Sequence, residues 1–285
     1  MSLIVEHPGA RSLLQDGGRP GSAALGVSPS GAFDRHARRQ ANTLLGNTDE
    51  AAAIEVLLGG LILTATAEHT VSVTGAVGPI TIDGRQVTHG RALRLLPGQR
   101  LKVGAFTSGL RAYVAVAGGF RAEDELGSLS TDTLSGLGPP PLAPGSEFAA
   151  GPAGTIPELQ DVPALTLAGT IALDVVLGPR DNWFTQAAIA TLLTTGWTVT
   201  PASDRIGVRL DGAVLERTRN DELPSEPCVR GSVQIASDGS PIVFGPDHPV
   251  TGGYPVIAVV IDGYTDRLAQ ARPGDVVHFG RRQAP

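Results

Sequence analysis

The sequence predicts a mainly β protein built as two modules with a few short helices. Three observations predict it. From Ala52 the first half breaks into short apolar runs, namely AIEVLL, LILTAT, TVSVTG, ITID, ALRLL, RLKVGAF and LRAYVAVAG. Asp83-Gly84, Pro97-Gly98 and Ser108-Gly109 separate them, and short strands punctuated in this way read as a closed or strongly curled antiparallel structure. Residues 136–169 hold seven prolines among many Gly and Ala. That composition excludes a helix and a central strand, so it reads as a connector. Finally, 41% of residues are hydrophobic but only 4% are aromatic, so the cores must be aliphatic. The expected organisation is a β module at 1–150 with one helix near 32–46, a Pro/Gly-rich connector at 151–169, and a second β module at 170–285.

In chain order, residues 3–6 form a strand. Gln15-Asp16-Gly17-Gly18-Arg19-Pro20-Gly21 is too rich in Gly and Pro for regular structure. Its Asp16 and Arg19 form either a ligand site or a salt bridge that pins the loop. The segment AFDRHARRQANTLLGN is a helix, with Ser30 as its N-cap and Asp34 in the first turn, where it complements the helix dipole. Phe33, Ala37, Ala41, Leu44 and Leu45 fall on one face. Arg35, His36, Arg38 and Arg39 read as a solvated face. Glu55, inside an apolar strand, is expected to point to solvent. A strand is also expected near 146–149. The second half opens with strand IALDVVLG, followed by helix NWFTQAAIATLLTT with Asp181 as N-cap. A strand at 197–200 and the segment SDRIGVRL come next. Strand VIAVVI, helix YTDRLAQAR and strand VVHFG close the chain.

Residues 225–255 are the most informative stretch. Two β-like runs, Ser232–Ile235 and Pro241–Phe244, flank Asp238-Gly239-Ser240, a turn suited to a tight hairpin. The later Thr251-Gly252-Gly253-Tyr254 can offer backbone N–H groups and hydroxyls to an anionic or carbonyl-bearing ligand. It reads otherwise as a plain turn.

Composition excludes several function classes. The net charge is −6 with signs mixed along the chain, which gives no basic stripe for nucleic acid. The N-terminus lacks a signal-peptide pattern, and the apolar runs are far too short to span a membrane. A soluble cytoplasmic protein is the expectation. Cys228 is the single cysteine, and no HExxH or CxxC spacing occurs, so no metal site is expected. The thiol is either inert or a nucleophile that needs a nearby base. Lys102 is the only lysine among 22 basic residues. There is no Gly-Lys-Ser/Thr triplet to hold nucleotide phosphates. RLKVGAF also lacks the setting of a biotinylated lysine, so no biotin is expected on this chain. Anion binding falls to arginines, which suit bidentate carboxylate contacts. The polar loops suit a small acyl or amide compound.

Several segments together, LLQDGGRPG, GVSPSGAFDRHARRQANTLLGN, AAIEVLLGG, LRAYVAVAGGF, SDRIGVRL, SEPCVRGSVQ, DGSPIV and TGGYPVIAVVI, resemble the KipA family. This family is also described as allophanate hydrolase subunit 2 or the carboxyltransferase A/B domain. Within it the likeness is to C subunits of bacterial ATP-dependent 5-oxoprolinases. The resemblance implies two cyclophilin-like β-barrel modules. It implies work with a KipI-type (PxpB-type) B subunit and a PxpA-type A subunit. The implied reaction is ATP-driven opening of the 5-oxoproline lactam to glutamate, with ATP a substrate of the complex and not necessarily bound by this chain. Biotin-dependent carboxylation of urea or another amide is the alternative. A regulatory role, binding a KipI-type kinase inhibitor, is a further one. Carried over by position, the resemblance implies catalytic roles for Asp204, Arg205 and Glu226. It implies substrate binding by Arg209, Ser225, Gln234, Thr251, Gly252, Gly253 and Tyr254. Gln15, Asp16, Arg19 and Asp34 form a second cluster or an interface. The Thr251–Tyr254 loop then reads as one wall of a shared site whose other wall lies on a partner chain.

Overall fold

The structure, a computed structural model, describes residues 2–158, 161–163, 169–219 and 221–282. Part of the expected connector, at 159–160 and 164–168, lies outside the described residues. The chain divides into two compact units that are not contiguous halves. The first comprises Met1–Arg19, Ser30–Asp132 and Gly136–Thr166; the second comprises Pro20–Pro29, Thr133–Ser135 and Leu167–Pro285. The mainly β reading holds.

The first unit contains two sheets. A seven-stranded sheet runs Phe120–Arg121, Glu147–Ala150, Ser2–Pro8, Leu61–Ala65, Arg100–Val103, Ile80–Ile82, Arg85–Val87. A five-stranded sheet runs Arg11–Gln15, Ala53–Leu57, Ser108–Val116, His69–Val77, Leu93–Leu95. Alternation along the strands decides what enters the core. Leu3, Val5, Leu61, Leu63, Leu101 and Val103 of the first sheet meet Leu14, Ile54, Val56, Val71, Val73 and Val114 of the second in one buried cluster. Each such side chain contributes about 1.5–3 kcal/mol on leaving water. An almost purely aliphatic core is what the low aromatic content requires.

The other face of the five-stranded sheet is also covered. Helix α1 (Arg35–Thr43) and the turn after it pack Ala37, Ala41 and Leu45 against Ala53, Tyr113 and Ala115. The small side chains allow a close approach, and Ser72 and Thr74 of the sheet donate to the Ala41 and Ala37 carbonyls at 2.7 and 2.6 Å.

Three expectations fail here, for local reasons. Asp34, not Ser30, is the N-cap; its Oδ1 accepts from Ala37 N at 2.8 Å. Ser30 (φ 51°) and Gly31 (φ 86°) are consecutive left-handed residues, so the chain turns at Ser30 and the helix starts later. Arg38 is buried because residues 49–51 fold back over the helix; it donates to the Asp49 and Ala51 carbonyls. Glu55 is buried as well. With Ile54 and Val56 in the core, it faces the side that α1 covers. Its Oε2 accepts from the Tyr113 hydroxyl at 2.7 Å and from Phe33 N at 2.9 Å, and Arg111 Nε lies 3.5 Å from Oε1. The Tyr113 hydroxyl in turn accepts from Asp34 N at 2.7 Å. Burial, reinforced by Glu55 and Asp34, pushes the phenol well above its usual value.

The second unit is a closed barrel running Thr170–Leu177, Val256–Val260, Ser232–Ile235, Pro241–Phe244, Gly207–Asp211, Trp197–Val199, Val276–Arg281. It closes through a parallel pairing of the first and last of these strands; the other neighbours are antiparallel. The hairpin turn at Asp238-Gly239-Ser240 forms, with Gly239 at φ 84° and Asp238 Oδ1 accepting from Ser240 N. Helix α2 (Gln186–Thr194) is capped by Thr185, whose Oγ1 accepts from Ala188 N at 3.0 Å. Asp181 instead opens a short 3-10 turn, because buried Trp183 and extended Phe184 interrupt the helix. Helix α3 (Asp262–Leu268) packs on the strand Thr170–Leu177. Among the described residues, no helix is long and apolar enough to cross a membrane.

The Tyr113 hydroxyl links α1's cap to the sheet. Replacing Tyr113 with Phe should lower stability by about 1–3 kcal/mol, the cost of removing a buried hydrogen-bonding partner. Urea unfolding of the two proteins measures the difference.

Candidate functional site

One end of the second unit's barrel gathers seven of the ten residues for which the resemblance implies catalysis or substrate binding. The chain leaves strand Ser232–Ile235 through the hairpin and returns along the loop at 245–250. There Thr251–Gly252 pairs with Glu226–Pro227, matching Glu226 to Gly252 and Pro227 to Thr251. Cys228 N donates to the Val250 carbonyl at 2.9 Å, which ties the loop to the same short ribbon.

Gln234 lies beneath this ribbon. Its buried Nε2 donates to the Tyr254 carbonyl at 3.0 Å and lies 3.5 Å from Cys228 Sγ. Gly252 marks a close approach to side chains beneath it. A Cβ there would sit 2.4 Å from Gln234 Nε2 and 3.1 Å from Cys228 Sγ. Burial, then the nearby Glu226, push the Cys228 thiol up, so it stays protonated. That fits an inert thiol. Thr251, Gly253 and the Tyr254 ring remain exposed, as does Ser225 beside the ribbon.

Two arginines that the motifs did not single out shape this end. Arg180 grips Glu226 with a two-point contact, Nε to Oε2 at 2.9 Å and Nη2 to Oε1. The hydrogen bonds from Arg180 hold the Glu226 carboxyl below its usual range. Arg217 donates through Nη2 to the Ile235 and Ala236 carbonyls, and its guanidinium lies 6.0 Å from the centre of the Tyr254 ring. The signal that could have found Arg180 is its position just after Gly178-Pro179, where a strand ends and a loop side chain is presented at the barrel's end.

Asp204, Arg205 and Arg209 lie elsewhere on the same unit. Asp204 Oδ1 accepts from Ile206 N at 2.8 Å and Gly207 N at 3.0 Å, closing the turn into strand Gly207–Asp211. Arg209 projects from that strand into solvent. Arg205 is buried and holds fully buried Asp247 through Nε–Oδ2 at 2.8 Å and Nη2–Oδ1 at 2.9 Å. Thr133 adds its N and Oγ1 to Asp247 Oδ2, at 2.9 and 2.7 Å. Burial works to raise the Asp247 carboxyl, but Arg205 and the hydrogen bonds outweigh it and the net shift is downward.

In the first unit, Gln15, Asp16, Arg19 and Asp34 are all buried. Asp16 and Arg19 do not pair with each other. Asp16 accepts from the Ser128 and Ser130 hydroxyls at 2.6 and 2.5 Å and from Leu129 N at 2.6 Å. Arg19 donates to the Ser130 and Glu125 carbonyls, and Gln15 donates to the Thr131 carbonyl. These three therefore pin the 125–131 segment, while Asp34 caps α1. Among the described residues, Gln15 Oε1 and Arg19 Nη1 are buried without a hydrogen-bond partner. Among the described residues, no group of three or more His, Cys, Asp or Glu side chains could hold a metal ion.

The Asp247 shift gives a pH prediction with a definite sign. A carboxyl lowered in the folded state stabilises it above the unfolded value, near 3.8, and loses that contribution as pH falls through the lowered folded value. Wild-type unfolding in urea should weaken steeply on this acid limb. Asp247→Asn should be less stable at neutral pH by about 3 kcal/mol, because it removes one charge from a buried two-point ion pair, and should show a flatter acid limb. Gly252→Ala should leave the barrel folded with only a small drop in melting temperature, because Gln234 can swing aside. It should also break the bond from Gln234 to the Tyr254 carbonyl, visible as a shifted Tyr254 carbonyl carbon resonance.

A family model described as "Carboxyltransferase domain, subdomain A and B" matches residues 25–281. The chain is 36% identical to the 5-oxoprolinase C subunit of Escherichia coli, over 97% of this chain and 90% of that protein. It is 34% identical to the corresponding 5-oxoprolinase C subunit of Haemophilus influenzae, over 95% and 88%. Among solved structures, the urea amidolyase of K. lactis superposes with a TM-score of 0.90 at 27% identity, covering 98% of this chain but 18% of that one. With a family model matching most of its length and relatives of this identity along nearly all of it, the chain belongs to the carboxyltransferase domain, subdomain A and B, family.

Proposed function

We propose that this chain is a subunit of an ATP-dependent 5-oxoprolinase. In that role it helps to open the lactam of 5-oxoproline to glutamate together with a KipI-type B subunit and an A subunit. The observation that carries the reading is the near end-to-end likeness to two 5-oxoprolinase C subunits. The geometry is compatible with it. An amide ring needs donors and acceptors fixed in place, and the ribbon at Glu226–Pro227 and Thr251–Gly252 offers a rigid frame with a carboxylate, a guanidinium and a tyrosine at its edge. ATP enters as a substrate of the assembled complex, since the sequence lacks a P-loop lysine and its single lysine lies on an exposed strand position. Biotin is not attached to this chain in this reading, and the cytoplasm is its place of work.

A second reading rests on the likeness to the urea amidolyase. The chain would then pass a carboxyl group to urea or another amide. The two differ in substrate and in energy source at this site.

The test is reconstitution with the two candidate partner subunits. The complex should release glutamate and ADP from 5-oxoproline and ATP, while each subunit alone shows only background. Gln234→Leu should lower kcat/KM about 10-fold, the effect of losing one ordinary hydrogen bond that holds the Tyr254 loop. A complex that leaves 5-oxoproline untouched but carboxylates urea in the presence of a biotin carrier would overturn the assignment.

A further inference from the structure

Among the described ion pairs of the second unit, Arg180–Glu226 combines a contact on both carboxylate oxygens with solvent exposure. It is bidentate, the geometry by which guanidinium selects carboxylate. Yet it is open to solvent, with side chains 35% and 26% exposed. Half-exposed pairs of this kind add little to stability. Arg205–Asp247 shows what a structural pair looks like here, at 4% and 0% exposure.

Both partners are held at their backbones, so their side chains meet in a fixed place. Arg180 N donates to the Val256 carbonyl at 3.1 Å, and Gly178 N donates to the Ile257 carbonyl at 2.8 Å. Glu226 is fixed through the ribbon opposite Gly252. The guanidinium has no hydrogen-bond partner but Glu226 among the described residues. It is therefore a preorganised carboxylate receptor whose occupant belongs to the chain itself.

We propose that Arg180 binds the carboxylate of the substrate and that Glu226 is its resident stand-in, displaced when the substrate arrives. This rests on the 5-oxoprolinase reading and extends it to substrate choice. The exchange keeps one carboxylate on the fork throughout, so no guanidinium is left bare, and the displaced Glu226 is already near solvent. A lactam acid can make the exchange, whereas urea and simple lactams carry no carboxylate and cannot. Arg180 thereby sets specificity for carboxylate-bearing amides.

The experiment uses the reconstituted complex with 5-oxoproline as substrate and 2-pyrrolidinone, the same ring without the carboxylate, as competitive inhibitor. Arg180→Gln should raise the KM for 5-oxoproline about 10- to 100-fold, as expected for losing a charge-assisted two-point contact, and leave the inhibition constant of 2-pyrrolidinone unchanged. Arg180→Lys, which keeps the charge without the fork, should fall between. Glu226→Gln removes the competing charge, so it should tighten 5-oxoproline binding by about 3- to 10-fold in equilibrium titration. The proposal is overturned if Arg180→Gln weakens both ligands alike, or if Glu226→Gln leaves 5-oxoproline binding unchanged or weaker. A wild-type complex that turns over 5-oxoproline while Arg180→Gln keeps its KM sinks this proposal alone. A wild-type complex with no 5-oxoproline turnover sinks the functional assignment beneath it.

Discussion

Burying Asp247 as an ion carries a desolvation cost, and its surroundings offset that cost. Desolvation alone would drive the carboxyl toward its neutral form. The Arg205 fork and the two hydrogen bonds from Thr133 reverse that. Thr133 comes from a segment more than a hundred residues away in sequence, and this demand explains why Thr133–Ser135 belongs to the second unit. Ser28, in the other detached segment, bonds the neighbouring Pro246 carbonyl. With Asp247 fixed, the loop at 245–250 has one course. It delivers Val250 to Cys228 N and so sets the ribbon that presents Thr251 and Gly252. Precision at the candidate site thus begins at a buried charge that lies outside it.

The same chemistry serves two ends within one barrel. Arginine and carboxylate meet in a two-point contact at Arg205–Asp247 and again at Arg180–Glu226. In the first pair water is excluded, so the attraction is little screened and losing either partner is costly. In the second, solvent reaches both groups and screens the attraction, so exchange with another carboxylate costs little. Exposure, not bond geometry, separates architecture from recognition here.

Much of the fold was legible because it rests on local signals. The Asp238-Gly239-Ser240 turn, the Pro-Gly turns and the alternation of apolar residues each act within a few positions. The helix at Arg35–Thr43 was legible too, though its start was not. Two left-handed residues at Ser30 and Gly31 moved the cap to Asp34. Glu55 misled for a different reason. Alternation correctly put it on the face opposite Ile54 and Val56, but helix α1 covers that face, and no local pattern reveals a second covering layer. The candidate site was legible only in part. Motifs marked Glu226, Gln234 and the Thr251–Tyr254 loop. Arg180 lies 46 residues before Glu226 and meets it only when the barrel closes. Asp204 and Arg205, implied as catalytic by the resemblance, lie in a turn and in a buried ion pair.

The ionisation of this barrel end constrains what it can contribute to catalysis. Efficient proton transfer needs a group whose pKa lies near the working pH. Here Arg180 holds Glu226 on the low side of the carboxylate range, while burial and Glu226 hold Cys228 on the high side for a thiol. The two titratable groups of the ribbon are thus driven away from neutrality in opposite directions, Glu226 by Arg180 and Cys228 by burial and Glu226. Carboxylate capture would change this balance. A ligand that occupies Arg180 removes the hydrogen bonds that hold Glu226 low, and its carboxyl then rises toward its ordinary value beside a second negative charge. Binding and basicity are coupled through one guanidinium, so the carboxylate becomes a better proton acceptor only once the ligand that displaces it is in place.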